Sequence, residues 1–335
     1  MTKIAFCCPG QGSVEMGMGR DVAEAVPEAR SVFERGSAAS GLDLERLCFH
    51  AEPGELVDTA VQQPALVATS LAMLAAVRAR GIEPDFVVGH SVGEFAALAA
   101  AEAMSIEDAL GATEAAAYDL SAGCTGFMYA LAQGYGMLAG GLAKRALVVG
   151  GDVLSRILDW EDRSTLVLFG DGAGAVVLEP AAEKGFLGFE LGADGGGGAN
   201  LWLPGSGSRL FDHPERYVKM NGREVFRFAT RILVQSAQAL LERCGVSIDE
   251  VDVYVPHQAN TRIIDHATRK LGVPSERVVI NVDRYGNTSS GSIPLALADA
   301  AADGRLRPGE LVLMTGMGAG LTWGSALMRW SKEMS

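Results

Sequence analysis

Tyr118-Asp119-Leu120-Ser121-Ala122-Gly123-Cys124-Thr125-Gly126-Phe127 sets a cysteine directly ahead of an apolar, helix-forming stretch. Two polar signatures lie far downstream, Val255-Pro256-His257-Gln258-Ala259-Asn260 and Arg284-Tyr285-Gly286-Asn287-Thr288-Ser289. The thiolate is the reactive form of cysteine, and the field and free N–H groups of a helix N-terminus are expected to lower the pKa of Cys124 into the physiological range. His257 follows a strand-like run and a proline and precedes a helix, which puts it at the carboxyl end of a strand, where α/β sheets hold their ligands. Asn287 falls in a turn-forming Gly286-Asn287-Thr288. Singly, these residues read as a small core thiol beside Gly123 and Gly126, a structural histidine and an ordinary turn. In the order Cys, His, Asn they form a set suited to acyl-thioester chemistry.

Outward from Cys124, apolar runs and helical periodicity alternate. Strands are expected near 115–121, 145–151, 164–170, 173–179, 251–256, 277–282, 310–316 and 323–330, with helices over 124–139, 222–243, 260–271 and 291–303. The glycine-rich stretch from Gly192 to Gly207 reads as a loop. Upstream, Lys3 to Cys8 and Asp85 to Gly89 are strand-like, with helices near 20–36, 62–80 and 93–103. Strand then helix, repeated, predicts an α/β protein with a mostly parallel, helix-covered sheet. Phe169-Gly170-Asp171-Gly172-Ala173-Gly174 is rejected as a dinucleotide motif, because glycines inside a strand pair are weak signals.

The 335 residues are 48% hydrophobic and 21% charged, enough for a large core and two domains or fused halves. A formal charge of −13, from 28 basic and 41 acidic residues, disfavours nucleic acid and anionic membranes as partners. No apolar run is expected to span a membrane, the longest candidate being Leu66 to Val77, and Ile4 to Cys8 is too brief for a signal-peptide core. The expected location is the cytoplasm. Five cysteines, at 7, 8, 48, 124 and 244, contain no C-x-x-C pair, so reduced thiols are expected, with neither a disulfide framework nor a metal site.

Residues from about 112 to 335 resemble β-ketoacyl-acyl-carrier-protein synthase III, the condensing enzyme that starts bacterial fatty acid synthesis. The resemblance rests on Ser121-Ala122-Gly123-Cys124, on Phe169 to Ala175, on the His257 and Asn287 motifs, and on Gly318-Ala319-Gly320-Leu321-Thr322-Trp323-Gly324-Ser325-Ala326. It implies a thiolase-like, layered αβαβα fold and a homodimer. It further implies Cys124, His257 and Asn287 as catalytic residues, with oxyanion donors at the backbone of Cys124 and Ala319. Acyl-CoA would be substrate, with no separate cofactor, and acyl carrier protein the partner. Arg227 and Arg262, among a wider set with Arg223, Arg231 and Arg269, match positions used for carrier protein or CoA phosphate. Spacing alone makes them solvated surface charge.

The first part departs from that family. Gly89-His90-Ser91-Val92-Gly93 is a G-x-S-x-G turn between a strand and a helix. With Pro9-Gly10-Gln11-Gly12-Ser13 and Gln63-Pro64-Ala65-Leu66 it makes residues 1 to about 110 similar to the opening third of malonyl-CoA:acyl-carrier-protein transacylase. Ser91 would be the nucleophile and Gln11 part of the oxyanion site. The segments that would carry that family's arginine and base histidine are not matched, and a serine without a base is a poor nucleophile. Ser91 is therefore expected to be idle. The chain reads as a fusion: 1–111 a truncated transacylase-like segment, 112–185 the rest of a synthase N-terminal half with the Cys, and 186–335 a C-terminal half with the His and Asn. The transacylase fragment stands where a synthase would carry its first sheet elements, a CoA-stacking aromatic and a Phe reaching across the dimer, so condensing activity is open to impairment. Malonyl transfer through Ser91 and an inactive carrier-protein-binding fusion are the alternatives.

Overall fold

The computed structural model describes residues 5–8, 13–52, 54–83, 86–89, 92–100, 105–111, 118–181, 185–204 and 216–331. The chain divides into two compact units, Met1–Tyr118 and Asp119–Ser335.

In the first unit β1 (Ala5–Cys8) pairs in parallel with β2 (Phe86–Gly89). Between them run α1 (Arg20–Ala25), α2 (Pro27–Ser40), α3 (Leu44–His50) and α4 (Thr59–Arg78), and after β2 come α5 (Gly93–Ala100) and α6 (Ile106–Gly111). Pro27 opens α2, where its missing N–H costs nothing, and Gly41 closes it at φ 72°. Asp43 caps α3 and Asp58 caps α4 through their side chains. Phe33, Leu44, Leu66, Leu71, Val92 and Leu110 meet in the unit's core. Contrary to the expectation that no apolar run is long enough, α4 has 20 residues and an 18-residue window of mean hydropathy 1.5, sufficient by length and composition to cross a membrane. Half of that window is buried, and Ala65, Leu66, Ala68, Leu71 and Ala72 build the core, so α4 is the central helix of this unit.

The second unit contains α7 (Gly126–Ala139), β3 (Ala146–Asp152), α8 (Arg163–Leu166), β4 (Gly172–Leu178), β5 (Phe186–Ala193), β6 (Leu201–Trp202) and β7 (Lys219–Met220). These are followed by α9 (Gly222–Cys244), β8 (Val253–Pro256), α10 (Thr261–Leu271), α11 (Val282–Tyr285), α12 (Ser292–Ala302), β9 (Leu311–Gly318) and β10 (Thr322–Arg329). One sheet has the order β5-β10-β9-β8, while β3 pairs with β4 and β6 with β7. Side-chain alternation divides the larger sheet's core in two. Val253, Val255, Val312 and Met314 point to one cluster with Phe127 and Met128 of α7 and Ile293 and Leu297 of α12. Tyr254, Leu311 and Leu313 point to the other, with Ala237 and Leu240 of α9 and Ile264 of α10. Both α7 and α12 also pack on β3, so a helical layer separates the two sheets. This is the layered, thiolase-like α/β arrangement.

Three expectations differ from the structure. The pairing is not mostly parallel: β10 runs antiparallel to β5 and β9, and only β8 is parallel to β9 in that sheet. The three residues between β9 and β10 can close only a hairpin, since a parallel return needs a long crossover. The expected strand at 164–170 begins inside α8, which is started by the Asp162 side chain accepting from Ser164 N–H at 2.9 Å, and continues as a turn that leaves Phe169 in an isolated bridge to Asn287. The expected strand at 277–282 reduces to a bridge between Tyr254 and Val278 before α11 begins. In the glycine-rich stretch, Asp194 caps a 3₁₀ turn over Gly195–Asn200. Of the strand expected at 115–121, residues 118–121 have no regular structure and the rest lies outside the described residues. Helix α3 falls in a stretch for which the sequence predicts no helix.

Candidate active site

Cys124 lies in a 3₁₀ turn, Gly123–Thr125, that leads straight into α7. That turn rests on the end of β9: a Cβ on Gly318 would stand 2.7 Å from the Cys124 nitrogen, so only glycine permits the approach. Hydroxyls tie the two segments together. Thr125 Oγ1 donates to the Ala122 carbonyl at 2.7 Å and lies 2.6 Å from Thr322 Oγ1, which in turn reaches the carbonyls of Ala319 and Ala122. The turn after β9 passes through left-handed backbone at Gly320 (φ 74°) and Leu321 (φ 47°). In consequence the backbone N–H groups of Cys124 and Ala319 favour the charged form of the Cys124 sulfur.

Ser289 Oγ donates to the same sulfur at 3.3 Å, and the Ser289 N–H donates to Asn287 Oδ1 at 2.9 Å. The nucleophile and the carboxamide are thus joined through one residue. Accepting at Oδ1 turns the NH₂ of Asn287 outward as the donor end. Asn287 is held on its other side by backbone: its N–H donates to the Leu168 carbonyl and its carbonyl accepts from Gly170. The next serine, Ser290, donates from N–H and Oγ to Asp152, the last residue of β3.

His257 follows β8, its N–H donating to the Thr315 carbonyl of β9 at 2.7 Å. Its Nδ1 lies 2.5 Å from Ser292 Oγ at the start of α12, and that oxygen accepts from Gln258 N–H. A hydroxyl accepting there is free to donate to Nδ1, which leaves the imidazole proton on Nε2. Nε2 is buried and has no partner among the described residues. Burial pushes the His257 pKa down to about 4, so the ring is neutral at pH 7. Gln258 fixes the strand end to the following loop: its NH₂ donates to the carbonyls of Pro256 and Val279, and its Oε1 accepts from Asn281 and Val282. Asp299 of α12 then holds Asn281, just before α11, and Arg284 and Tyr285 within it.

The electrostatics correct one expectation. Burial, and to a smaller degree the Asp152 carboxylate, push the Cys124 thiol up to about 11, while the Ser289 hydroxyl and the two backbone N–H groups act in the opposite sense. The resting sulfur is therefore a thiol at pH 7; the donors at the helix start lessen the cost of burial without overcoming it.

Arg227 and Arg262 are exposed, on α9 and α10, two helices that pack together. Arg227 pairs with Glu224 at 2.9 Å. Ser91 and Gln11 lie outside the described residues. The sequence reading missed Ser289, Ser292, Asp152 and the Thr125–Thr322 pair. Ser289 and Ser292 stand within a few residues of Asn287, but a Ser-Ser-Gly-Ser run reads as turn chemistry.

Residues 118–195 match the family 3-oxoacyl-[acyl-carrier-protein (ACP)] synthase III, and residues 241–330 its C-terminal part. Residues 5–121 match an acyl transferase domain. A β-ketoacyl-[acyl-carrier-protein] synthase III of Desulfitobacterium hafniense is 45% identical over 312 residues, covering 90% of this chain and 88% of that protein. The enzyme of that name from Symbiobacterium thermophilum is 48% identical over 239 residues, 69% of this chain and 72% of its own length. The crystal structure of the synthase III of Thermus thermophilus superposes with a TM-score of 0.63 at 48% identity, over 68% of this chain and 72% of that one.

Proposed function

Because the chain belongs to the β-ketoacyl-[acyl-carrier-protein] synthase III family, we propose that Cys124, His257 and Asn287 perform that family's reaction here. The protein is an acyltransferase that condenses an acyl-CoA primer, acetyl-CoA or a similar one, with malonyl-acyl-carrier-protein. Carbon dioxide is lost, and 3-oxoacyl-acyl-carrier-protein is formed at the initiation of fatty acid biosynthesis.

The Cys124 sulfur attacks the primer carbonyl, the bond to the CoA sulfur breaks, and the proton from Cys124 leaves on CoA. The N–H groups of Cys124 and Ala319 stabilise the oxyanion, since the Ala319 nitrogen lies against the Gly123–Thr125 turn that carries the nucleophile. Decarboxylation of the malonyl group then leaves an enolate, whose oxygen accepts from Nε2–H of neutral His257 and the NH₂ of Asn287. The observation that carries this reading is the buried His257 Nε2, without a partner among the described residues, in the same compact unit as a thiol bonded through Ser289 to Asn287. No cofactor beyond the acyl-CoA substrate enters these steps.

Arg227 and Arg262, exposed on adjacent helices, provide positive charge for carrier protein or CoA phosphate. The protein acts in the cytoplasm as a homodimer, and residues 1–111 are a truncated transacylase segment preceding the two synthase parts, 112–185 and 186–335. Incubation with acetyl-CoA followed by intact mass spectrometry tests the reading: a single acetyl adduct mapping to Cys124, absent in Cys124→Ala, is expected. Carrier-protein binding with no adduct would instead identify an inactive binder. The match of residues 5–121 to an acyl transferase domain supports a second reading, malonyl transfer by Ser91. Loss of malonyl loading in Ser91→Ala would establish it, and unchanged loading is expected.

A further inference from the structure

We infer that Ser289 is a further catalytic residue of this centre, its hydroxyl donating to the Cys124 sulfur and stabilising the thiolate both as it attacks the primer and as it leaves the acyl group. The inference rests on the assignment of Cys124 as nucleophile and deepens it.

Ser289 is 3% exposed, and its Oγ stands 3.3 Å from Cys124 Sγ. Of the neighbouring hydroxyls, Ser290 is committed to Asp152 and Ser292 to His257, while Thr288 Oγ1 is buried and makes no hydrogen bond to the sulfur. Ser289 also holds an unusual backbone conformation, φ 53°, which a glycine adopts without strain. A turn that required only this geometry would be served by glycine; what the serine adds is the hydroxyl, and the geometry directs it at the sulfur. The backbone N–H of the same residue fixes Asn287 Oδ1, so one residue sets the nucleophile against the carboxamide.

The need for a donor follows from the surroundings. Asp152, at the end of β3, is the carboxylate whose field reaches the sulfur, and together with burial it favours the neutral thiol. In priming, the electron pair of Sγ forms the new C–S bond while the CoA sulfur departs with the pair of the old one. In condensation, the malonyl α-carbon forms the C–C bond, the Sγ–C bond breaks, and its pair returns to Sγ. Negative charge is on Sγ at the start of the first step and the end of the second, and Ser289 Oγ–H is in place at both moments.

Two variants test this, Ser289→Ala and Ser289→Gly, the second removing the hydroxyl while relieving the left-handed backbone. Both are expected to be folded by far-UV circular dichroism, with Ser289→Gly melting at or above the wild-type temperature. Alkylation of Cys124 by iodoacetamide at pH 8 should slow roughly tenfold, the loss of one charge-assisted hydrogen bond. Acetyl loading should slow similarly, and the log-rate profile for alkylation should move to higher pH. Folded variants that alkylate and load within about twofold of wild type would overturn the inference. So would loss of folded signal in both variants, which would make Ser289 a structural residue. A wild-type protein that takes no acetyl group at Cys124 would overturn the parent assignment itself, a result distinguishable by mass alone.

Discussion

His257 and Cys124 are both held neutral by burial, with opposite consequences for stability. For His257 the folded-state pKa, about 4, lies below the ordinary 6.5, so the unfolded chain binds the extra proton between those values. The stability it contributes is complete above pH 6.5 and lost as pH falls through about 4, on the order of 3 kcal/mol over the window. Urea unfolding from pH 7 to pH 4 should show this loss in wild type and a shallower one in His257→Gln; parallel curves would refute it. For Cys124 the folded value is raised, so its contribution is present below pH 9 and falls as pH climbs through about 11. A Cys124→Ala variant should therefore lose less stability than wild type between pH 9 and 11. At this scale Cys124, His257 and Asn287 could be singled out as candidates because each stands in a distinctive local motif. Ser289 was illegible, since its importance comes from a positive φ and from a sulfur 165 positions away in the chain.

The element that most constrains the site is the hairpin of β9 and β10 with its turn. Gly318→Ala would bring a Cβ to 2.7 Å from the backbone nitrogen of Cys124, and neither main chain can yield as a side chain would. The variant should lose about 1–3 kcal/mol in denaturant unfolding, typical of overpacking. Acetyl loading should fall more than stability predicts, because the displaced N–H is the proposed oxyanion donor. Loading equal to wild type would count against the donor assignment. Elements with a strong period were legible: α9, α10 and α12, and the buried strands β9 and β10, fall within a few residues of expectation. The segments at 164–170 and 277–282 were misread because their apolar content serves short helices and single bridges, a choice made by the Asp162 cap and by tertiary packing rather than by periodicity.

Over the whole molecule the two units have separate hydrophobic cores. All four tryptophans, at 160, 202, 323 and 330, belong to the second unit. Thermal unfolding followed by far-UV circular dichroism should proceed in two steps, whereas tryptophan fluorescence should report one of them only. Coincident single transitions by both probes would show that the cores melt together. The change of character along the chain was legible from motifs, which place the join after residue 111, and the compact units divide after Tyr118. Strand direction was not legible, because hydrophobic pattern is silent on orientation and only the three-residue connection before β10 decides it. The hydroxyl knot among Ala122, Thr125, Ala319 and Thr322 has a last consequence. Its dipoles are locked during folding, so the reorientation that loose water would repeat at every turnover is completed once in the lifetime of each protein molecule.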